Sequence, residues 1–424
     1  MINRMLYQLK ASLTINKIVI FLFFNHLFVV VIINNICLFI SFSYLFISMY
    51  FIYNLVMHKK IIYVRFVLTS IVFLLYSVFS ALWANKFDLS YNASIQLAKS
   101  SLFAMLFITL IDSKENFRWA LFSFSLAGVV YSMLYVQNVD IASLGADRIT
   151  TNENSDSILP NVNTVGLFLS LSFVYFFYSY FYRKKSYFLL IAAVSFIIIF
   201  LLGARKSIVS LAFIIIFLLG ARKSIVSLAI CILMMLYKLN SSARIKIILL
   251  SLLFISLLFV YIPTEYLSFV SERLAQLNFF SNQINELDES DANRILLLKS
   301  GFFYGMDSPI LGNGYYSFSQ LLLKEYGFAT YSHNNFIEIF VGGGIIGFTL
   351  YYSLYYIVLK DTCKKVLRFD ENYLLIILTT ILLFNQLTIV VVNERFIWIL
   401  LAILYSGVRC YSKVNCCENR FSCR

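Results

Sequence analysis

The most constraining feature of the sequence is a succession of long apolar runs separated by short polar turns. A spanning helix needs about 20 apolar residues, and runs of that order recur along the chain. With 61% hydrophobic and 13% charged residues among 424, the chain is excluded as a soluble or disordered protein, because even a large soluble domain leaves about a quarter of its surface exposed. The predicted spans are 18–35, 36–56, 62–82, 95–111, 117–137, 164–182, 186–202, one or two within 208–237, 245–262, 335–359, 373–392 and 395–408, which makes twelve if 208–237 is a single span. We predict an all-α polytopic membrane protein with about 12 transmembrane helices.

Basic residues mark alternate turns between these runs. The clusters at 59–65, 183–185 and 360–368 are examples, and the intervening turns are neutral or acidic. Because cytoplasmic loops collect Lys and Arg, both termini are predicted to be cytoplasmic. The net charge of +13 is thereby explained by topology, and no nucleic-acid partner is indicated.

Two external segments are longer than ordinary turns. They are 138–163 and 263–334, and the second is long enough to have a function of its own. Within it, 292–304 combines a dense apolar stretch with Arg and Lys, which predicts a helix lying at the membrane surface. The predicted organisation is therefore N-terminal transmembrane helices over 1–262, a large extracytoplasmic loop over 263–334, and C-terminal helices with a cytoplasmic tail over 335–424.

One segment, FIIIFLLGARKSIVSLA, occurs twice without a difference, at 196–212 and 213–229. An additional span at this point would reverse the membrane orientation of all later segments. Their basic clusters would then lie outside, whereas cytoplasmic loops are the ones that collect Lys and Arg. We therefore expect the added residues to extend or break a helix, or to re-enter the membrane, rather than to cross it. Which copy is functional stays open.

The first candidate site surrounds His333 in SHNNFIEIFVGGGIIGF, at the predicted outer end of a helix. A neutral imidazole at a helix N-terminus suits a general base that activates a hydroxyl. Asn334 and Glu338 are four residues apart and share a helix face, and a carboxylate about one turn into the membrane indicates function by default. The alternative is that Ser332, His333 and Asn334 only cap the helix.

Isolated external arginines form the second candidate site. A guanidinium binds two oxygen atoms at once, which suits a diphosphate. The alternatives are an ion pair with external carboxylates and interfacial snorkelling. No carboxylate cluster has the spacing of a divalent-ion site, so we predict neither a metal nor another cofactor. The candidate diphosphate-binding residues are Arg148, Arg205, Arg222 and Arg294.

Glycines mark two further features. In MDSPILGNGYYSF (306–318), Gly312 and Gly314 could form a backbone anion nest or an ordinary turn. Gly343 and Gly347 are spaced as small residues are at close helix–helix contacts.

The order of these elements resembles the O-antigen ligase/polymerase family of bacterial membrane glycosyltransferases. The resemblance covers roughly 140–360, and it departs at Ala204 and Ala221, where the family usually has Ser before the Arg of GARKS. The matching positions are Arg148 before Pro160, Asn161 and Asn163; Arg205 or Arg222; Arg294, Leu297, Asp307, Pro309, Gly312 and Gly314; and His333, Asn334, Ile337, Glu338, Gly343, Gly344, Ile345 and Gly347.

The resemblance implies a GT-C-like fold in the bacterial inner membrane. It implies a glycan carried on undecaprenyl diphosphate as donor, a glycan acceptor, and a chain-length regulator as a further partner. His333 would deprotonate the acceptor hydroxyl, Glu338 or Asn334 would orient it, and the arginines would bind the diphosphate. A polymerase uses another lipid-linked repeat unit as acceptor, and a ligase uses the lipid A core.

We favour a polymerase, with the ligase as the alternative within the enzyme class. From another class, a lipid-linked oligosaccharide flippase would need cations lining a mid-depth cavity, whereas the lone charges here lie at predicted outer helix ends. A non-catalytic scaffold would not need the His and Arg pattern. The sugar, its linkage and the oligomeric state cannot be read from the sequence.

Overall fold

The computed structural model describes residues 63–138, 162–183, 185–203, 289–363 and 370–421. Within these ranges every regular element is a helix and no strand occurs, which confirms the all-α prediction. The described residues fall into two compact units. The first contains 63–127 and everything from Arg294 onward, and the second contains 128–138, 162–183, 185–203 and 289–293.

Ten α-helices can be numbered in the described ranges. Short 3₁₀ turns at Ala81–Trp83 and Ile108–Leu110 extend the first two. The helices are α1 (Val64–Ser80), α2 (Phe87–Phe107), α3 (Lys114–Asn138), α4 (Val162–Arg183), α5 (Ser186–Gly203), α6 (Glu289–Asp307), α7 (Phe318–Tyr326), α8 (Asn335–Cys363), α9 (Asp370–Gln386) and α10 (Arg395–Phe421).

Three of the described segments are long and apolar enough to cross a membrane: Val64–Trp83, Phe87–Leu110 and Asn335–Cys363. Shorter apolar helical stretches are Thr164–Tyr180, Ser186–Ser195 and Tyr373–Gln386. The protein is therefore a membrane protein, while the number of about 12 spans stays a prediction. The predicted spans 18–35, 36–56, 208–237 and 245–262 lie outside the described residues.

The second span begins earlier than the hydropathy pattern predicts. Its predicted start was residue 95, whereas α2 begins at Phe87. The added turns carry small polar residues that pack against α1, and the Ser94 hydroxyl donates a hydrogen bond to the Ser77 carbonyl oxygen (3.0 Å). Small hydroxyl residues allow close helix packing in membranes but contribute little hydropathy, so the apolar pattern alone misses these turns.

The span predicted at 373–392 ends early, because α9 stops at Gln386 and the chain turns back before α10. The Asn335 side-chain oxygen accepts hydrogen bonds from the Val391 and Val392 amides (2.9 and 3.0 Å). Its amide nitrogen donates to the Gln386 side-chain oxygen (2.8 Å). A buried amide from α8 thus replaces helical hydrogen bonding in the α9–α10 turn.

The first unit is centred on α1, which packs along α2, α8 and α10. Midway along α1, the Phe73 ring lies 5.4 Å from Tyr351 and 6.2 Å from Trp398, measured between ring centroids. At the end where α1 begins, Tyr63 donates a hydrogen bond to the Ile111 carbonyl oxygen. The Tyr405 ring lies 6.1 Å from the Tyr63 ring and 5.7 Å from the Arg409 guanidinium, so Arg65 and Arg409 lie at the same end of the bundle.

In the second unit, α4 and α5 form a packed helix pair. The Phe176 and Phe188 rings pack in a tilted arrangement with centroids 6.2 Å apart, and the Arg183 guanidinium lies 5.6 Å from the Phe188 ring centroid. Gly128 in α3 approaches α4 so closely that a Cβ there would contact Ser172 and Phe168.

Helices α6 and α7 of the large predicted loop pack on the start of α8. A Cβ at Gly301 would collide with Ile337, and one at Gly305 with Phe340, so the α6 backbone lies directly on these side chains. The opposite face of α6 leaves apolar side chains exposed. The cluster that joins the three helices consists of Leu297, Tyr304, Phe318, Leu322 and Val341, and the exposed apolar residues of α6 are Ile295, Leu298, Phe302, Phe303 and Met306.

Candidate functional site

Residues 331–338, which we call the helix-start segment, lead into α8. The Asn334 side-chain oxygen accepts hydrogen bonds from the Phe336 and Ile337 amides (2.9 and 3.2 Å). The Ser332 hydroxyl donates to the Asn334 carbonyl oxygen (2.8 Å). Asn334 is therefore the N-cap of α8, and the capping interpretation is confirmed for this residue.

Glu338 stabilises the same segment from inside the helix. Its carboxylate is 4% exposed and accepts a hydrogen bond from the Ser332 amide (3.0 Å). A buried carboxylate requires such a donor, because an unpaired one would bear the full cost of desolvation. Glu338 thus fixes the backbone one residue before His333.

His333 itself has a left-handed backbone, with φ of 54°. Its ring is half-buried and lies 4.1 Å from the Tyr331 ring, measured between centroids. A non-glycine residue in this region is strained, and the hydrogen bonds of Asn334 and Glu338 on either side hold it there. The imidazole is thereby positioned at the end of α8 while remaining partly accessible.

Residues 308–316, which we call the glycine clasp, lie against an interruption in α8. Gly344 has φ of 56° and ψ of −161°, outside helical geometry. The Asn313 amide donates to the Val341 carbonyl oxygen (2.8 Å) and the Ile345 amide to the Pro309 carbonyl oxygen (2.8 Å). The clasp therefore satisfies the backbone groups that the interruption frees.

The anion-nest interpretation of this loop is wrong for the three amides of Gly312, Asn313 and Tyr315. The Gly312 amide donates to the Ser308 carbonyl oxygen (2.9 Å), and the Tyr315 amide donates to the Ser80 hydroxyl (2.8 Å). Since the Asn313 amide is also used, these donors do not face a ligand. The glycines serve close approach instead, because a Cβ at Gly312 would lie 2.5 Å from the Gly342 carbonyl oxygen.

Helix α1 holds the clasp from the other side. The Tyr76 hydroxyl lies within hydrogen-bonding distance of the carbonyl oxygens of Gly343 (2.9 Å) and Leu311 (2.8 Å). The Trp83 indole donates to the Gly312 carbonyl oxygen (3.1 Å). Gly343 and Gly347 both face the Tyr76 ring, so their spacing serves helix packing, as predicted.

Two tyrosines at the end of the clasp lie near Glu338. The Tyr315 hydroxyl donates to the Asn393 side-chain oxygen (2.7 Å). Burial, and then the nearby Glu338 carboxylate, raise the pKa of Tyr316 above its usual value. Burial is also the main reason why the pKa of Tyr315 is raised. Both hydroxyls therefore stay protonated near neutral pH and can donate hydrogen bonds.

The α9–α10 turn contributes residues that the sequence analysis did not single out. Asn393 receives the Tyr315 hydroxyl, and its carbonyl oxygen accepts from Ser100 (3.1 Å). Burial raises the pKa of the neighbouring Glu394 carboxyl, and Arg395 partly opposes that shift. The signal was present, because the run NER interrupts an otherwise apolar stretch, and ionisable residues inside such stretches indicate function by default.

Arg294 lies on the side of α6 that carries Gly301. It precedes Gly301 by seven residues, about two helical turns, and therefore shares its face. Gly301 contacts Ile337, and Gly305, further along α6, contacts Phe340, further along α8. The two helices therefore run parallel where they touch. Moving back two turns along α6 places exposed Arg294 at the end of the helix pair where His333 lies.

The structure thus brings together His333, Asn334 and Glu338 in one segment and places Arg294 at the same end of the helices. The other predicted arginines, Arg148, Arg205 and Arg222, lie outside the described residues. Among the residues described, no group of three His, Cys, Asp or Glu side chains could hold a metal ion.

Comparison with known proteins gives one family. Residues 207–352 match the family model described as O-antigen ligase. The resemblance to this family is confirmed. No curated protein matches the chain.

The matched range includes the glycine clasp, the helix-start segment, Arg294 and Arg222, whereas Arg205 and Arg148 precede it. Of the two identical GARKS copies, the O-antigen ligase family model therefore includes only the arginine of the second. The residues of α1 and of the α9–α10 turn that form hydrogen bonds with the clasp lie outside the matched range.

Proposed function

We propose that the protein is a membrane glycosyltransferase that polymerises undecaprenyl-diphosphate-linked repeat units at the outer face of the bacterial cytoplasmic membrane. The observation that carries the proposal is the fixed, half-buried His333 within the O-antigen ligase family range. Glu338 and Asn334 lock the backbone on both sides of it. Such preorganisation is what an acid–base residue requires.

In the proposed reaction, a hydroxyl of the acceptor glycan attacks the anomeric carbon of the donor glycan. His333 accepts the hydroxyl proton as the new glycosidic bond forms. The bond between the anomeric carbon and the phosphate oxygen breaks, and undecaprenyl diphosphate leaves with the electron pair. Arg294, together with Arg148 and Arg222 or Arg205, would stabilise the charge that develops on that diphosphate.

Glu338 and Asn334 have positioning roles in this scheme. Each accepts backbone hydrogen bonds within the helix-start segment, so each acts on the acceptor through the placement of His333. This differs from direct orientation of the acceptor by Glu338 or Asn334, the role hypothesised from the sequence.

A second candidate is transfer of the finished glycan to the lipid A core. The description of the matched family as O-antigen ligase favours it, and the chemistry at His333 would be the same. Gene deletion separates the two: a polymerase leaves one repeat unit attached to the surface glycolipid, whereas a ligase leaves no attached glycan and accumulates lipid-linked polymer. A flippase would be indicated if repeat units remained on the cytoplasmic side.

The proposed function is tested with His333→Ala in the deletion strain. We expect long-chain glycan to disappear on a gel, because loss of a general base costs about 10²–10⁴-fold in rate. His58→Ala, outside the matched family range, is the matched control and should restore wild-type chains. Equal membrane amounts of both variants must be shown by blotting. Wild-type chain length in His333→Ala would refute the role of His333.

A further inference from the structure

Three non-glycine residues in the described ranges have a left-handed backbone: Tyr63, Tyr316 and His333. Such residues are strained, and the strain persists only where surrounding structure imposes it. His333 belongs to the site already described. The two tyrosines form a natural comparison, because they have the same side chain and the same unfavourable backbone, with φ of 77° and 65°.

The conformation of Tyr63 is explained by packing. Its side chain is 8% exposed, and its hydroxyl donates to the Ile111 carbonyl oxygen. Its ring lies 6.1 Å from the Tyr405 ring in an edge-to-face arrangement. Strain at Tyr63 is therefore offset by buried contacts that stabilise the fold.

Tyr316 has no comparable contacts. Its side chain is 38% exposed, and within the described part of the chain its hydroxyl forms no hydrogen bond and its ring no stacking contact. The backbone on both sides is nevertheless fixed. Tyr315 is held by Ser80 and Asn393, and the Ser317 amide donates to the Gly314 carbonyl oxygen (3.2 Å). The fold thus holds Tyr316 in a strained conformation without using its side chain.

The location of Tyr316 shows what the side chain could serve. A Cβ at Gly342, four residues after Glu338 on α8, would lie 3.3 Å from the Tyr316 amide nitrogen, and Glu338 fixes the residue next to His333. A second aromatic ring, that of Tyr331, lies 4.1 Å from the His333 ring. An exposed aromatic ring with an unused hydroxyl therefore lies close to the helix-start segment, on the same unit of the protein.

Sugars match such a surface. One face of a pyranose ring consists of C–H bonds that pack on an aromatic ring, and the hydroxyls at its edge bond to a polar group. Tyrosine offers an apolar ring and a hydroxyl at its tip, and pockets for small ligands combine aromatic walls with a few polar groups.

We propose that Tyr316 is an acceptor-binding residue, whose ring packs against the C–H face of the acceptor sugar and whose hydroxyl bonds to one of its hydroxyl groups. This inference rests on the proposed function. It assigns to the end of the glycine clasp a role in holding the acceptor for His333, and the strained backbone at Tyr316 directs the ring outward for that purpose.

The test uses the full chain in nanodiscs and a defined probe. The probe is the free oligosaccharide released by mild acid from lipid-linked repeat units that accumulate in the deletion strain. We expect saturable binding to the wild type and a Kd about tenfold weaker in Tyr316→Gly, the size of one aromatic contact. Tyr316→Phe, which keeps the ring, should lie between the two.

Thermal stability separates binding from a structural role. Glycine adopts positive φ without strain, so Tyr316→Gly should melt at or above the wild-type temperature. Tyr63→Gly is the matched control and should melt lower with unchanged Kd, because it loses buried contacts. A Tyr316→Gly variant with wild-type Kd, or a wild type that does not bind the probe, overturns the inference.

His333→Ala makes the two proposals distinguishable. If His333→Ala is inactive and Tyr316→Gly binds the probe normally, the proposed function stands and the role of Tyr316 fails. If His333→Ala polymerises normally, the role of His333 fails, and if deletion of the gene leaves chain length unchanged, the proposed function itself fails.

Discussion

The glycine clasp packs against α8 and the helix-start segment leads into it, and the two regions use their polar groups in different ways. In the clasp, backbone amides donate to neighbouring carbonyl oxygens, and glycines allow backbones to touch. In the helix-start segment, Asn334 and Glu338 fix the backbone while the imidazole of His333 stays half-buried. The glycines thus stabilise the fold, whereas the neighbouring segment holds a partly accessible imidazole in a fixed position.

The largest effect should come from the contact between the clasp and Gly344 of α8. In Gly344→Ala the new Cβ would lie 2.7 Å from the Gly312 amide nitrogen, at a φ of +56°. Backbone cannot move aside as a side chain can, so we expect the free energy of unfolding to fall by about 3 kcal/mol or more. The variant should aggregate in a detergent melting assay.

Gly327→Ala is the matched control for Gly344→Ala. It has the same kind of backbone, with φ of +78°, but nothing within 4 Å of the new Cβ. Its free energy of unfolding should fall only by the cost of placing a Cβ at positive φ, about 1 kcal/mol. Equal losses in the two variants would show that the close backbone contact contributes nothing.

A smaller effect should appear in the helix-start segment. Glu338→Ala leaves the buried Ser332 amide without its acceptor, which costs about 1–3 kcal/mol, and it should lower the rate of glycan transfer by freeing His333. Glu338→Gln keeps an oxygen acceptor of the same shape and should recover most of both losses. If the Gln variant is as inactive as the Ala variant, Glu338 has a role that depends on its charge.

The smallest effect should come from Tyr76→Phe. The change removes a hydroxyl next to the Gly343 and Leu311 carbonyl oxygens while keeping the ring that packs on Gly347. We expect a loss of about 1 kcal/mol in melting experiments and an unchanged Kd for the oligosaccharide probe. A weaker Kd would extend the binding site into the clasp and remove the distinction between the two regions.

Local patterns predicted much of the described fold. The span predicted at 62–82 was observed as Val64–Trp83, and the helix predicted from residue 335 begins there. Hydropathy succeeds here because lipid requires long apolar helices with internal hydrogen bonds. It failed at 87–94 and at 387–392, where Ser94 and Asn335 supply polar contacts that a hydropathy window records only as interruptions.

The candidate site was predictable only in part. His333 and Arg294 could be singled out because an isolated charge or imidazole at a helix end is conspicuous in an apolar sequence. Tyr316 could not, since it is one of 29 tyrosines and its significance depends on φ. Asn393 could not either, because its contact with Tyr315 joins positions 78 residues apart, and sequence periodicity carries no information about such pairs.

The two glycines of α6 have a consequence for how this chain tolerates change in length. Gly301 and Gly305 set both the rotation and the axial position of the helix against Ile337 and Phe340. A single residue inserted between them would turn one half of α6 by about 100° relative to the other, so that bulky apolar groups such as Phe302 would be driven into the seam. A substitution in α6 therefore changes its packing only locally, whereas a one-residue insertion there disrupts the packing of a whole half of the helix.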